Sequence, residues 1–131
     1  IVPYPPGGAS DVATRLLAPR LQEELKQNVV VENRPGASGN LGMVTLLQAP
    51  ADGHTMAMSL TGMLSINPVT YSKAGFTAAD FTPVARVSLA PLVLVVPLDS
   101  PWKTAGDLVA AGKAAGKGGL PYGSAGAGGL A

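Results

Sequence analysis

The chain of 131 residues has the length of one ordinary domain, and its 47% hydrophobic and 13% charged residues fit a chain that buries a core. The formal net charge is +1 with lysines and arginines scattered singly, so no basic patch points to nucleic acid or a membrane surface. The absence of cysteine excludes a disulfide scaffold, a thiolate metal site and a cysteine nucleophile, and says little about the redox compartment.

In chain order, residues 1–4 are short, apolar and proline-punctuated, and read as the end of a strand. The turn "PPGG" follows. Residues 10–27 have the spacing of a helix, with Ala13, Leu17, Leu21 and Leu25 on one face and Val12 and Leu16 beside them. Ser10 or Asp11 can cap it, and Pro19 removes one hydrogen bond and should kink it or open it locally. Residues 28–32 form a β-branched run that predicts a strand. After "NRPGASGN" a second helix is expected over about 39–48, with Leu41, Val44 and Leu47 as its buried stripe.

Residues 54–60 alternate Met56, Met58 and Leu60 on one face of a third strand, and Met56, Met58 and Met63 read as core. Residues 61–83 are irregular, and 84–97 contain one or two strands. The apolar run 89–98 holds two prolines, is too short to span a bilayer and reads as a buried strand. Thr104 and Asp107 make a capping-box start to a helix reaching about residue 115. A turn, a short strand and the glycine-rich "GSAGAGGLA" close the sequence, and both ends read as cut within structure.

This alternation implies an α/β fold with a parallel-rich sheet, right-handed crossovers and helices on both faces. Ligands of such sheets bind at the carboxyl ends of the strands. Residues 7–11, 36–42 and 123–129 are the glycine-rich loops to consider.

Gly7 and Gly8 let the backbone turn sharply and approach a ligand, and the helix that follows offers unpaired N–H groups and partial positive charge to an anion. A plain structural turn explains the same residues as well, with Ser10 and Asp11 as caps rather than ligands. Gly126, Gly128 and Ala131 satisfy G-x-G-x-x-A, so a nucleotide-dependent enzyme using residues 126–131 as a phosphate loop is the alternative reading. Only "LPY" precedes that loop, and the acidic partner expected about 20 residues on lies past the last residue. Lys113 and Lys117 are not in a P-loop, and Ser124 is not in G-x-S-x-G because Tyr122 occupies the first glycine position. His54 is the sole histidine and reads as a surface or strand-end residue, so no metal site is expected. Glu32 and Arg34, two apart, can pair on one face of an extended segment.

The segments "IVPYPPGGASDVATRLLAPRLQEEL", "VVVENRPGASGNLG", "APADGHTMAMS", "INPVTY", "DFTPVARV", "LVLVVPLDSPWKT" and "YGSAGAGG" occur in this order. Together they closely resemble the Bug-type solute-binding proteins of tripartite tricarboxylate transporters. The resemblance implies a periplasmic-binding-protein-like (type II) fold with two lobes around a cleft, most of the first lobe over 1–96, and the crossover and opening of the second over 97–131. It implies a periplasmic receptor, without catalysis or cofactor, that captures a small carboxylate-bearing solute for membrane permease subunits.

In the family the carboxylate is held by one strand–turn–helix loop from each lobe, aided by ordered water. The matching residues here are Pro6, Gly7, Gly8, Ala9, Ser10 and Asp11 in the first loop, and Gly123, Ser124, Ala125, Gly126, Ala127 and Gly128 in the second. Ser59 and Thr61, in "SLTG", are further candidates for the cleft wall. The family follows its second loop with a histidine, which this sequence does not reach, and its members are about twice as long or more. Standing alone, residues 1–131 are expected to expose a sheet edge and to be marginally stable.

Overall fold

The structure is a computed structural model that describes residues 1–89, 91 and 93–123. It divides into two compact units, one spanning Ile1–Val87 and a second beginning at Ser88.

In the first unit three extended segments lie side by side. Val2 donates its N–H to the Glu32 carbonyl at 2.7 Å, and Arg34 donates to the Val2 carbonyl at 2.8 Å. On the other side the Ile1 nitrogen donates to the Met56 carbonyl at 2.6 Å, and Met58 donates to the Ile1 carbonyl at 3.0 Å. Both pairs have the staggered pattern of parallel pairing, with the first segment between the second and the third. The pairing goes no further. The bridge between Val2 and Asn33 is isolated, and no full strand is present among the described residues, so the expected sheet is reduced to single rungs. Proline is one cause: the next donor toward Met58 would be residue 3, and Pro3 has no N–H.

Five helices are described: α1, Ala9–Leu25; α2, Asn40–Gln48; α3, Thr61–Ser65; α4, Asn67–Thr70; and α5, Ala105–Ala114. Short 3-10 turns stand at Ala37–Gly39, Ala78–Asp80 and Gly116–Gly118. α1 runs unbroken through Pro19, so the expected opening does not occur, and it stops where Lys26 turns left-handed at φ 52°. Gly8 is its N-cap, and neither Ser10 nor Asp11 takes that place.

The buried faces also differ from those expected. α1 buries Asp11 and Ala18, while Leu16 is 72% exposed and Val12 and Leu25 lie about half outside. α2 buries Asn40, Gly42 and Met43 instead of Leu41 and Leu47. The reason is the closeness of α2 to the first segment. A Cβ on Gly42 would lie 2.8 Å from the Pro3 Cβ, and one on Gly39 2.7 Å from the Met63 Sδ. Only a face of small and slender residues approaches that closely, which turns the leucines outward.

The core is Met43, Met63 and Phe76, with Tyr4, Val44, Ala57, Leu60, Leu64 and Phe81 packed around it. Phe76 and Phe81 meet edge to face at 5.5 Å. Met63 is core as expected, but Met56 is exposed and Ala57 takes the inward position in the third segment.

In the second unit α5 has the expected capping box. The Thr104 Oγ1 accepts from the Asp107 N–H at 3.2 Å, and the Asp107 carboxylate accepts the Thr104 N–H at 2.9 Å. The apolar run before it is largely exposed, with Leu89, Val93, Leu94, Val95 and Leu98 outside, and none of its described residues pairs as a strand. A β-branched run is stable as a strand only when neighbours supply the ladder, and no described segment does so.

Candidate functional site

Parallel pairing places the ends of all three extended segments at one edge of the first unit. The loops that follow them are residues 4–8, 35–39 and 59–60, and they lead into α1, α2 and α3. This is the edge where α/β folds bind ligands.

The first loop is built by a buried carboxylate. Gly7 has φ 86°, a conformation that suits glycine, whereas Gly8 has φ −75° and could be any residue. Asp11, 3% exposed, accepts the Gly7 N–H at 2.8 Å. The same carboxylate accepts from the Arg15 Nε at 3.0 Å and from the Asn33 Nδ2 at 3.0 Å. Asn33 also donates to the Tyr4 carbonyl at 3.0 Å and accepts from the Arg15 Nη2 at 3.0 Å. One network therefore fixes the end of the first segment, the turn, the first turn of α1 and the end of the second segment. The Arg15 hydrogen bond, then those of Gly7 and Asn33, lower the Asp11 carboxyl to about 2, so it stays charged and paired.

Two consequences follow for an anion. The Gly7 N–H is spent on Asp11. Among the described residues no side chain accepts from the N–H groups of Gly8, Ala9, Ser10 and Asp11, the four that a helix start leaves without an intrahelical acceptor. The charge of Asp11 is balanced by Arg15, so the helix end keeps its partial positive character. Arg34 is likewise paired, with Glu32 as expected.

The second loop of this edge is the strained one. Gly36, Ala37, Ser38 and Gly39 all have positive φ, at 138°, 46°, 52° and 90°. For Ala37 and Ser38 that costs about 1–2 kcal/mol each. Polar groups converge on the turn: the Asn67 Nδ2 donates to the Ser38 carbonyl at 3.0 Å, the Tyr71 hydroxyl to the Ser38 Oγ at 2.8 Å, and the Tyr4 hydroxyl reaches the Ser38 carbonyl at 3.5 Å. Burial, and then the neighbouring Tyr71, push the Tyr4 phenol up from its ordinary value.

The third loop carries Ser59 and Thr61. The Ser59 hydroxyl bonds locally to the Leu60 carbonyl at 3.2 Å, and Thr61 is the exposed first residue of α3. The structure thus brings Gly7, Gly8, Ala9, Ser10, Asp11, Ser59 and Thr61 to one edge. Ser124, Ala125, Gly126 and Gly128, and with them the alternative phosphate loop 126–131, lie outside the described residues. Arg15, Asn33, Tyr4, Asn67 and Tyr71 were not anticipated. A turn glycine followed four residues later by an aspartate was the available signal for the first network. A groove of about 370 Å³ between α1 and residues 29–31 shares no residue with the three loops. Among the described residues, no group of three or more histidines and carboxylates is placed to hold a metal ion, and no helix is long and apolar enough to cross a membrane.

Residues 13–131 match the family described as the tripartite tricarboxylate transporter family receptor. The chain belongs to that family. Among its relatives, Protein BugT of Bordetella pertussis is 43% identical over 100 residues, covering 72% of this chain and 30% of BugT. A UPF0065 protein from the tcbD-tcbE intergenic region of Pseudomonas sp. (strain P51) is 37% identical over 129 residues, 98% of this chain. The present chain spans 38% of that relative's length. Among solved structures, R. palustris Rpa4515 with adipate is 35% identical and superposes with a TM-score of 0.76 over 86% of this chain and 38% of its own. A second, described as a periplasmic transporter, is 35% identical with a TM-score of 0.56 over 59% of this chain and 26% of its own. The chain shares the fold of Rpa4515 over the part that it covers, which is consistent with a partial α/β fold.

Proposed function

We propose that this protein is a periplasmic solute receptor, not an enzyme, that binds a small carboxylate-bearing solute and hands it to the permease subunits of a tripartite tricarboxylate transporter. The observation that carries this reading is the division of labour in the first loop. Asp11 takes the Gly7 N–H and is neutralised by Arg15, while the N–H groups of Gly8, Ala9 and Ser10, at the positive end of a 17-residue helix, have no acceptor among the described residues. Backbone donors at such a helix start can hold a carboxylate without a cationic side chain. Ser59 and Thr61 would form the adjoining wall, and the family resemblance adds Ser124, Ala125, Gly126 and Gly128 as further ligand contacts. Family membership supports the receptor role, and the adipate of Rpa4515 supports a carboxylate as the solute class.

The test is a calorimetric and thermal-shift screen of the complete gene product against dicarboxylates, tricarboxylates, acidic amino acids and aromatic carboxylates. Saturable binding of at least one class, with a rise in melting temperature, is expected. Silence toward every carboxylate, or binding of a nucleotide instead, would refute the reading.

A further inference from the structure

We propose that Asn67 is a positioning residue for the carboxylate site, holding the strained Ala37–Ser38 turn so that Tyr4 and the first loop keep their binding geometry; this rests on the receptor reading above. Asn67 is 1% exposed and stands at the first position of α4, immediately before Pro68. A buried amide is costly unless its polar atoms are bonded, and this one is engaged on two sides. Its Nδ2 donates to the Ser38 carbonyl at 3.0 Å and to the Asn40 Oδ1 at 2.6 Å. Those two acceptors bracket Gly39, where the turn becomes α2.

The turn needs holding. Two non-glycine residues in the left-handed region relax toward ordinary backbone unless their surroundings fix them. Met63 of α3 fills the space beside Gly39, and Asn67 of α4 grips the carbonyl on one side and Asn40 on the other. From Ser38 the line continues to the first loop, because the Tyr4 hydroxyl reaches the same carbonyl and the Tyr4 backbone is bonded to Asn33 beside Asp11. The geometry therefore links α4 to the residues directly preceding Gly7. Ala37 itself is exposed, so its methyl group opposes the turn through φ alone.

The proposal is tested in the complete gene product with the adipate-class carboxylate that the wild type binds, by calorimetry. Asn67→Ala is expected to weaken binding roughly two- to thirtyfold, the range for couplings transmitted through packed neighbours. Ala37→Gly added to it should restore most of the affinity, since glycine adopts the turn without strain. Tyr71→Phe removes one hydroxyl from Ser38 and is expected to fold even if Asn67→Ala does not; it should weaken binding several-fold. A lowered melting temperature with unchanged affinity in Asn67→Ala and Tyr71→Phe would mean a structural role alone and overturn the proposal. So would failure of Ala37→Gly to restore affinity. A wild type that binds no carboxylate would instead refute the receptor reading itself.

Discussion

Replacing Gly42 by alanine sets two opposing effects against each other, and the structure decides the sign. Inside a helix, glycine to alanine ordinarily stabilises by about 0.5–1 kcal/mol, because alanine loses less backbone entropy on folding. At Gly42 the new Cβ would lie 2.8 Å from the Pro3 Cβ, 2.9 Å from the Pro3 Cα and 3.0 Å from the Arg34 carbonyl oxygen. Two of these atoms are backbone, so relief requires α2 to move away from the first and second segments. Those segments carry the hydrogen bonds between Val2, Glu32 and Arg34. Overpacking of this kind costs about 1–3 kcal/mol, and the net expectation is a loss of about 1–2 kcal/mol. Gly112 in α5 is the control: its Cβ would meet nothing within 4 Å, so Gly112→Ala should gain up to about 1 kcal/mol. Urea unfolding of the complete gene product, read as a shift of midpoint at constant slope, measures both. A Gly42→Ala protein as stable as the wild type would refute the claimed approach of α2 to Pro3.

Further expectations concern the first loop. Ala9→Pro should leave stability nearly unchanged, since Ala9 is the first residue of α1, where proline is well tolerated, and Gly8 before it is extended at φ −75° and ψ 167°. It removes the Ala9 N–H and should weaken carboxylate binding by about tenfold or more, as expected for losing one charge-assisted hydrogen bond worth about 1.5–3 kcal/mol; equal affinity by calorimetry would place the ligand elsewhere. Because Arg15 and Arg34 are already paired, binding should depend only weakly on ionic strength, and a steep fall in affinity between low and high salt would reveal a cationic clamp instead. Asp11 has a folded value of about 2, below the ordinary carboxylate near 3.9, so its contribution to stability is present above about pH 4 and is lost as pH falls through about 2. Acid titration of the melting temperature should show this loss, and Asp11→Asn should flatten it; an unchanged profile would argue against the network.

Local signals carried α1, the capped α5, the Glu32–Arg34 pair and the first turn into view, because each depends on neighbours in sequence. Which faces are buried did not follow from periodicity. α1 has apolar residues on more than one side, and the inward positions went to Asp11 and Ala18. α2 is turned by the glycines that let it approach Pro3 and Met63, a packing demand that no apolar spacing records. The asparagines were least legible. Asn33, Asn40 and Asn67 are separated by up to 34 positions in sequence and lack hydrophobic periodicity, yet their amides join the loops of the candidate site. The sheet was over-read for a related reason: extended segments predict strands, but rungs form only where both neighbours offer N–H and C=O, and Pro3 offers no N–H.

The most direct test is amide NMR of the complete gene product during titration with adipate. The N–H signals of Gly8, Ala9 and Ser10 should shift strongly and saturably, and that of Gly7, already bonded to Asp11, much less. Binding that leaves Gly8, Ala9 and Ser10 unmoved while other residues respond would contradict the carboxylate site proposed at the start of α1.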